Sequence, residues 1–512
     1  MKYFICLLTI AFLWAGTTAP AAQTANEEEI LSFHFTGIKN IKRSNKGTQL
    51  KELLKLPLSL EVQKILIDKL FKTKTISFLG DKPIPNLLDN EIYIQIIGEE
   101  KPAFLFAAKI GSSEAQKIFN SLRAKEKNAG TLKTEQNTVN KEETWTRTQD
   151  GTTKVLGYGC GWIIYYTYSQ DQLPKKLAVN LIHGQQPADK ILNNIVLMDL
   201  KVPLLSKIFG KSCPLLKNVE SISLRAWPEE ENIRLSARTL LIEEADMLSQ
   251  NWNLPTNIIT DPLSHLTAIR NSEKIFENMP HWNEIAPQAN APKQLYIYNY
   301  DVPFYTILLG SSETAPADVP KMGNGITACL SKYFPEIRNP LQFAVNTNNV
   351  EVGWVGWPML TPTLRAVSDN KQNYLMAGTV AALPKGTPLA PELWNAISKN
   401  PKLFFYSWEL TGHTLPQWQM LFPLVKMELS KPEPIVRTGR KDLTKGKTAA
   451  SKNSSPESKV FNWTIAARQY LGNCITRAEQ TSPKELLIER NASIGLSSLE
   501  LWILTEWLSD RL

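Results

Sequence analysis

The five histidines, His34, His183, His265, His281 and His413, are the residues best suited to proton transfer or metal binding near neutral pH. None stands at metal-ligand spacing from another histidine or from a cysteine, so no metal site is expected. His34 and His265 fall in strand-like stretches and read as strand histidines satisfied by a neighbour. Gly111-Ser112-Ser113 and Gly310-Ser311-Ser312 lack the G-x-S-x-G spacing of a nucleophile turn, and serine after glycine at a helix start serves as a cap. Gly157-Tyr158-Gly159-Cys160-Gly161 leads into a strand, so no helix N-terminus would meet a phosphate there. Phe209-Gly210-Lys211-Ser212 holds only the end of a P-loop. Glu229-Glu230-Glu231 and Glu243-Glu244 read as solvated hairpin tips. These residues point away from catalysis and call for no cofactor.

Aromatic rows are the positive feature. Along 295–301, Tyr296, Tyr298 and Tyr300 share one face of a strand and Leu295 and Ile297 the other. Trp162, Tyr166 and Tyr168 form a second row. Such rows can stack on sugars or extended peptides, which makes these six the candidate ligand-binding residues. A sheet face covered by a helix would use the same pattern, since 14 tryptophans must be housed somewhere.

The elements that would position these rows occur twice. Phe35 to Asn40 is echoed by Leu266 to Asn271, Ile92-Tyr93-Ile94 by Leu295-Tyr296-Ile297, and Pro102 to Glu114 by Pro303 to Glu313. Ile195 to Leu200 is then echoed by Phe405 to Leu410, and Ile222 to Ala226 by Cys474 to Ala478, with Arg225 laid on Arg477. Five anchors in one order predict a duplication. Within each copy, hairpins alternate with single helices. This predicts an α+β fold of two tandem copies of an antiparallel sheet with helices packed on it, spanning 23–255 and 256–512.

Finer expectations follow from period and punctuation. Residues 50–71 read as two helices around Pro57, the second capped by Ser59, and 115–127 as another helix. Residues 125–143 read as a polar mobile loop, and 143–169 as three strands. A hairpin at 221–242 leads into a short helix ending at Trp252. A strand at 403–410 precedes a helix at 415–427 with Trp418 and Leu421 inward, and a helix runs from 460 to 471. The closing stretch 496–512 is apolar nearly all round, which predicts a helix buried in the second copy with Trp502 or Trp507 deep inside.

Residues 1–22 carry Lys2, an apolar run from Tyr3 to Trp14 and small residues ending Ala19-Pro20-Ala21-Ala22, the pattern of a secretory signal peptide. No later run is long enough to span a bilayer. The address is therefore periplasmic or extracellular. Cys160, Cys213, Cys329 and Cys474 occupy unmatched places in the two copies and read as isolated buried thiols. The net charge is +8, but 431–459 alone holds eight Lys/Arg against three acids, or +5. Without it and Lys2 about +2 remains, so the charge marks a disordered basic insertion able to touch an anionic surface, not a specific nucleic-acid face.

This order of signal peptide, strand ending T-x-I-[KR]-N, helices, Pro-Phe strand and second copy resembles that of uncharacterised duplicated-domain proteins exported by some bacteria. The resemblance implies an exported fold of two copies and carries no chemistry. The expectation is a non-catalytic binding or scaffold protein of the cell envelope, whose partner is an envelope protein or glycan. A secreted hydrolase with an unrecognised site and a carrier of lipids or other hydrophobes are the alternatives.

Overall fold

The computed structural model describes residues 29–72, 86–98, 102–128, 133–137, 142–149, 152–168, 174–184, 194–209, 216–277, 282–286, 289–302, 304–333, 341–344, 351–355, 360–380, 386–429 and 455–509. The leader 1–22, Cys213 and residues 431–454 lie outside them. The fold mixes helix and strand around a large antiparallel sheet. The chain divides into two compact units.

Unit 1 holds residues 1–245, 462–496 and 503–512. In chain order it builds β1 (Glu29–Phe35), α1 (Ile38–Arg43), α2 (Thr48–Lys55), α3 (Pro57–Lys72), β2 (Ile92–Ile97), β3 (Ala103–Lys109) and α4 (Ser112–Asn128). There follow β4 (Lys133–Asn137), β5 (Glu142–Gln149), β6 (Thr152–Gly159), β7 (Trp162–Tyr168), α5 (Pro174–Ile182), β8 (Val196–Lys201), α6 (Val202–Phe209), β9 (Val219–Glu229) and β10 (Asn232–Leu241).

Unit 2 holds residues 246–461 and 497–502. It builds β11 (Thr260–Asp261), β12 (Leu263–Arg270), α7 (Glu273–Glu277), α8 (Trp282–Ile285), β13 (Gln294–Tyr300), β14 (Thr306–Ser311) and α9 (Ala315–Tyr333). It continues with β15 (Leu341–Ala344), β16 (Glu351–Val355), β17 (Thr363–Asp369), β18 (Gln372–Gly378), β19 (Thr387–Pro388), α10 (Pro391–Ser398), β20 (Leu403–Leu410) and α11 (Thr411–Leu429). The chain ends with α12 (Pro456–Ala467), β21 (Asn473–Ser482), β22 (Glu485–Ala492) and α13 (Ser498–Leu508).

In unit 1 the strands pair antiparallel in the series β4–β5–β6–β7–β3–β2–β1–β8–β9–β10–β22–β21. One core lies where Phe33, Met198, Leu224 and Ala237 meet α6 through Val202 and Leu205. On the opposite face α5 sets Ala178 and Leu181 on Leu105, Ala107 and Ile164. In unit 2 the series is β15–β16–β17–β18–β14–β13–β12–β20. There Ala315, Val319 and Met322 of α9 pack on Leu295, Val352, Leu364 and Leu375. β11 and β19 form a separate pair.

Several expectations are corrected. Residues 125–143 are not all loop: α4 runs to Asn128 and β4 follows at 133–137. No helix forms between β10 and Trp252, where the backbone is spent on other partners, with Ala245 N–H donating to Pro483 O at 2.8 Å. Ser59 does not cap its helix, which already begins at Pro57. Its hydroxyl donates instead to Leu53 O at 2.5 Å and accepts from Trp463 Nε1 at 2.9 Å. Residues 456–459, assigned by sequence to the basic insertion, open α12.

The first of the five anchors departs from its echo in its second half. Thr36 follows the end of β1 and Ile38 starts a helix, whereas Thr267 to Arg270 remain in β12. Gly37, two residues past β1, takes φ 90° ahead of the helix, and a Cβ there would sit 2.6 Å from the Asn90 backbone. Residues 462–496, read as second copy, lie in unit 1. The closing helix belongs to the second unit only through its first residues; Trp507 is buried in unit 1 and Trp502 is half-buried. Cys160, Cys329 and Cys474 carry free thiols, and Cys160 is exposed, not buried. Among the described residues no helix is long and apolar enough to cross a membrane.

Candidate functional site

Pairing register decides which side chains share a face. In β13, Tyr296, Tyr298 and Tyr300 alternate with Leu295, Ile297 and Asn299, as the sequence predicts. The tyrosine face is closed to solvent: Tyr296 and Tyr298 are 0 % exposed and Tyr300 is 1 %. The irregular segment before β12 supplies polar partners. Tyr296 Oη donates to Asn253 O at 2.7 Å, Tyr374 Oη reaches the same carbonyl at 3.1 Å, and Tyr300 Oη meets Thr260 Oγ1 at 3.1 Å. Burial pushes all three of Tyr296, Tyr298 and Tyr374 up, Tyr374 to about 12. These phenols are neutral structural groups, and the row offers no surface stacking platform.

The second row is also largely covered. Trp162 and Tyr166 are buried and Tyr168 packs at their edge, all three in the cluster beneath α5. Tyr166 and Tyr168 stack at 5.8 Å. Lys109 Nζ lies 5.7 Å from the Trp162 ring centre. The covering helix is sufficient to account for the burial of this row.

Beside it, unit 1 assembles a group that sequence reading left apart. β1 and β2 set His34 opposite Tyr93. Their rings stack at 4.2 Å and 8°. Glu91, two residues from Tyr93 and therefore on the same face, accepts from His34 Nε2 at 3.0 Å and from Tyr93 Oη at 3.3 Å. His34 is 13 % exposed and Glu91 6 %. Register continues the strip through Leu197, Ser32, Gln95 and exposed Asp199. Gln95 Nε2 donates to Glu29 Oε1 at 2.8 Å. The alternation of Glu91, just before β2, with Tyr93 and Gln95 within it was the signal available for this cluster; Glu91 stands 57 residues from its histidine.

Unit 2 buries its counterpart. One cross-strand row runs Thr306–Asn299–His265–Glu409. Burial pulls the His265 imidazole down to about 4, against the smaller opposing effect of the Asn299 side chain. Its Nε2 meets Thr267 Oγ1 at 2.8 Å, and Thr267 donates to Ser407 Oγ at 2.8 Å. α11 docks on this row by polar bonds: Asn299 Nδ2 to Gln417 Oε1 at 3.0 Å, and Gln417 Nε2 to Ser264 Oγ at 3.1 Å. The Glu409 carboxylate accepts from Ser498 N and Ser498 Oγ, each at 2.6 Å, and from Thr411 Oγ1 at 3.0 Å, holding the start of α13. Ser498 is fully buried, so its hydroxyl is a structural link and not a reachable nucleophile.

Among the described residues no His/Cys/Asp/Glu group is arranged to hold a metal ion. His413 Nδ1 and Asp301 Oδ1 pair at 2.9 Å on the surface. The described set thus offers one half-open polar strip, around His34, and one closed polar row, around His265.

No family model matches the chain, and no curated protein matches it. Solved structures of TP0453 align with part of it. Crystal form IV matches over 45% of this chain and 79% of that one, at 7% identity and a TM-score of 0.23. Crystal form III matches over 48% and 82%, at 8% identity and 0.22. Likeness at that level defines neither a shared fold nor a shared activity.

Proposed function

We propose that this is an exported, non-catalytic binding or scaffold protein of the bacterial cell envelope, built from two copies of one antiparallel sheet plan. The repeat is supported by strand order: β4–β5–β6–β7–β3–β2–β1–β8 has the same connectivity as β15–β16–β17–β18–β14–β13–β12–β20. Gly111 lies two residues past β3 and Gly310 is the penultimate residue of β14, strands at the same step of that order. Arg225 and Arg477, laid together from sequence, each lie opposite a strand residue, Ser236 and Glu489, that pairs with the other.

The observation that carries the binding reading is the strip around His34. It sets an imidazole, an aromatic ring, Ser32, Gln95 and Asp199 side by side on a braced sheet, partly open to solvent. Fixed donors and acceptors on a rigid surface recognise a partner with little ordering cost. An envelope protein segment or glycan fits that chemistry. The basic stretch 431–459 would add attraction to an anionic surface.

The test is a photo-crosslinking residue at Asp199 of the full chain in living cells, with the same residue at Val367 of unit 2 as reference. Crosslinks to a defined envelope protein or glycan from position 199 alone are expected. Equal products from both positions, or none, would sink the reading. Turnover in a hydrolase panel would favour an enzyme, and co-purified lipid in native mass spectrometry a carrier. Amino-terminal sequencing of the secreted form, expected to start after Ala21 or Ala22, tests the address.

A further inference from the structure

The seam between β10 and β22 carries a charge pattern that nothing above requires. The two strands pair from Ile233–Ala492 to Leu240–Glu485, with Ser236 opposite Glu489. Ser236 lies four positions after the start of β10, and Glu489 four after the start of β22. Each hairpin turns between directly paired residues, Glu229–Asn232 and Ser482–Glu485. A local twofold therefore runs through the Ser236–Glu489 pair and exchanges the two hairpins. On geometry alone, either hairpin could pair with a second copy of itself about the same central position.

The side chains break this symmetry. Alternation puts Arg234, Ser236 and Arg238 of β10 on the face shared with Glu485, Leu487 and Glu489 of β22. Arg238 Nη2 donates to Glu485 Oε2 at 2.8 Å across the seam. Arg234 is held by Glu229 within its own hairpin. Now pair like with like about the same centre. Two copies of β10 would set Arg234 directly opposite Arg238 twice. Two copies of β22 would set Glu489 against Glu489. Like charges directly opposed across strands are unfavourable, and the unlike seam avoids both.

We propose that Arg234, Arg238, Glu485 and Glu489 form a charge code that admits only a β22-type strand at the β10 edge, so that the chain closes on itself and two chains do not join through like hairpins. The inference rests on the proposed repeat only for treating the hairpins as equivalents. The backbone adds bonds that any sequence could make, Leu241 N to Lys484 O at 2.9 Å among them, so specificity falls to the side chains.

The test uses the full mature chain with R238E, E485R and R238E/E485R, plus co-expression of the two single variants under different tags. Each single variant is expected to melt about 2 °C lower, and the double to recover most of that loss. The co-expressed pair is expected to yield a heterodimer by native mass spectrometry at ~100 µM, because exchanged hairpins give both seams an Arg–Glu match. A double no more stable than the singles overturns the proposal. Recovery in the double with no heterodimer also overturns it, reducing Arg238–Glu485 to an ordinary surface ion pair. Either failure leaves the repeated strand order untouched, and that reading is tested separately by an experimental structure.

Discussion

Unit 1 and unit 2 each place a histidine on the first strand of the sheet, and the two behave as different chemical species. His34 keeps a partly open edge, an ionisable partner in Glu91 and a stacked tyrosine. His265 is enclosed, held down to about 4, and bonded to a neutral threonine. The strand addresses are alike; what differs is which face the pleat gives them. His265 faces the layer of α9 and α11, while His34 lies on the face that α5 covers only at its far end, over β3 and β7. Access, not residue type, separates a group that can meet a partner from one that holds a core together.

The comparison is broken most severely at the carboxylates. Glu409→Ala removes the acceptor of Ser498 N, Ser498 Oγ and Thr411 Oγ1 in a closed site and is expected to cost about 2–4 kcal/mol in urea unfolding. Glu91→Ala also removes a buried carboxylate, but its partners His34 and Tyr93 keep access to water, so it is expected to cost about 1–2 kcal/mol. Equal losses would mean that the unit 1 strip is as closed as the unit 2 row.

A pH series sharpens the histidine contrast. The folded state holds His265 near 4, below its unfolded value of 6.5. Above pH 6.5 both states are neutral and the group has no effect. Between about 6.5 and 4 the unfolded chain takes the proton and the fold does not, so stability falls with falling pH, by at most ~3 kcal/mol. His265→Gln is expected to remove that slope. An unchanged slope in the variant would assign the acid sensitivity elsewhere.

The tyrosines give a smaller effect. Tyr296→Phe deletes a buried hydroxyl that donates to Asn253 O and Gln294 Oε1 and is expected to cost about 1–2 kcal/mol. Tyr93→Phe, at a half-buried ring whose bond to Glu91 is long, is expected to cost under ~1 kcal/mol. Reversal of that order in denaturant midpoints would contradict the burial contrast.

Much of this architecture is legible in the chain because period-2 runs and turn residues are local signals. The hairpins β2–β3 and β9–β10, the strands β5 to β7 and the helix break at Pro57 all follow from them. What is not local is not legible. The tyrosines of β13 satisfy alternation whether a ligand or the 246–262 segment covers them, and only the fold supplies Asn253 and Thr260. His34 finds Glu91 through the β1–β2 register, which no spacing reveals. The T-x-I-[KR]-N anchor matches letters but not structure, since Gly37 turns the first stretch into a helix where the second stays extended.

The β10–β22 pairing also sets a timetable. Chains emerge from the ribosome amino end first. β9 and β10 are made before residues 246–461, yet the partner of Ile233 is Ala492, which follows them. Throughout the making of unit 2, β10 presents a bare row of backbone donors and acceptors, the kind of edge onto which stray strands add. The arginines on that edge then act as guards during a waiting period, and truncation before Glu485 would leave the edge unguarded by its own partner for the life of the molecule.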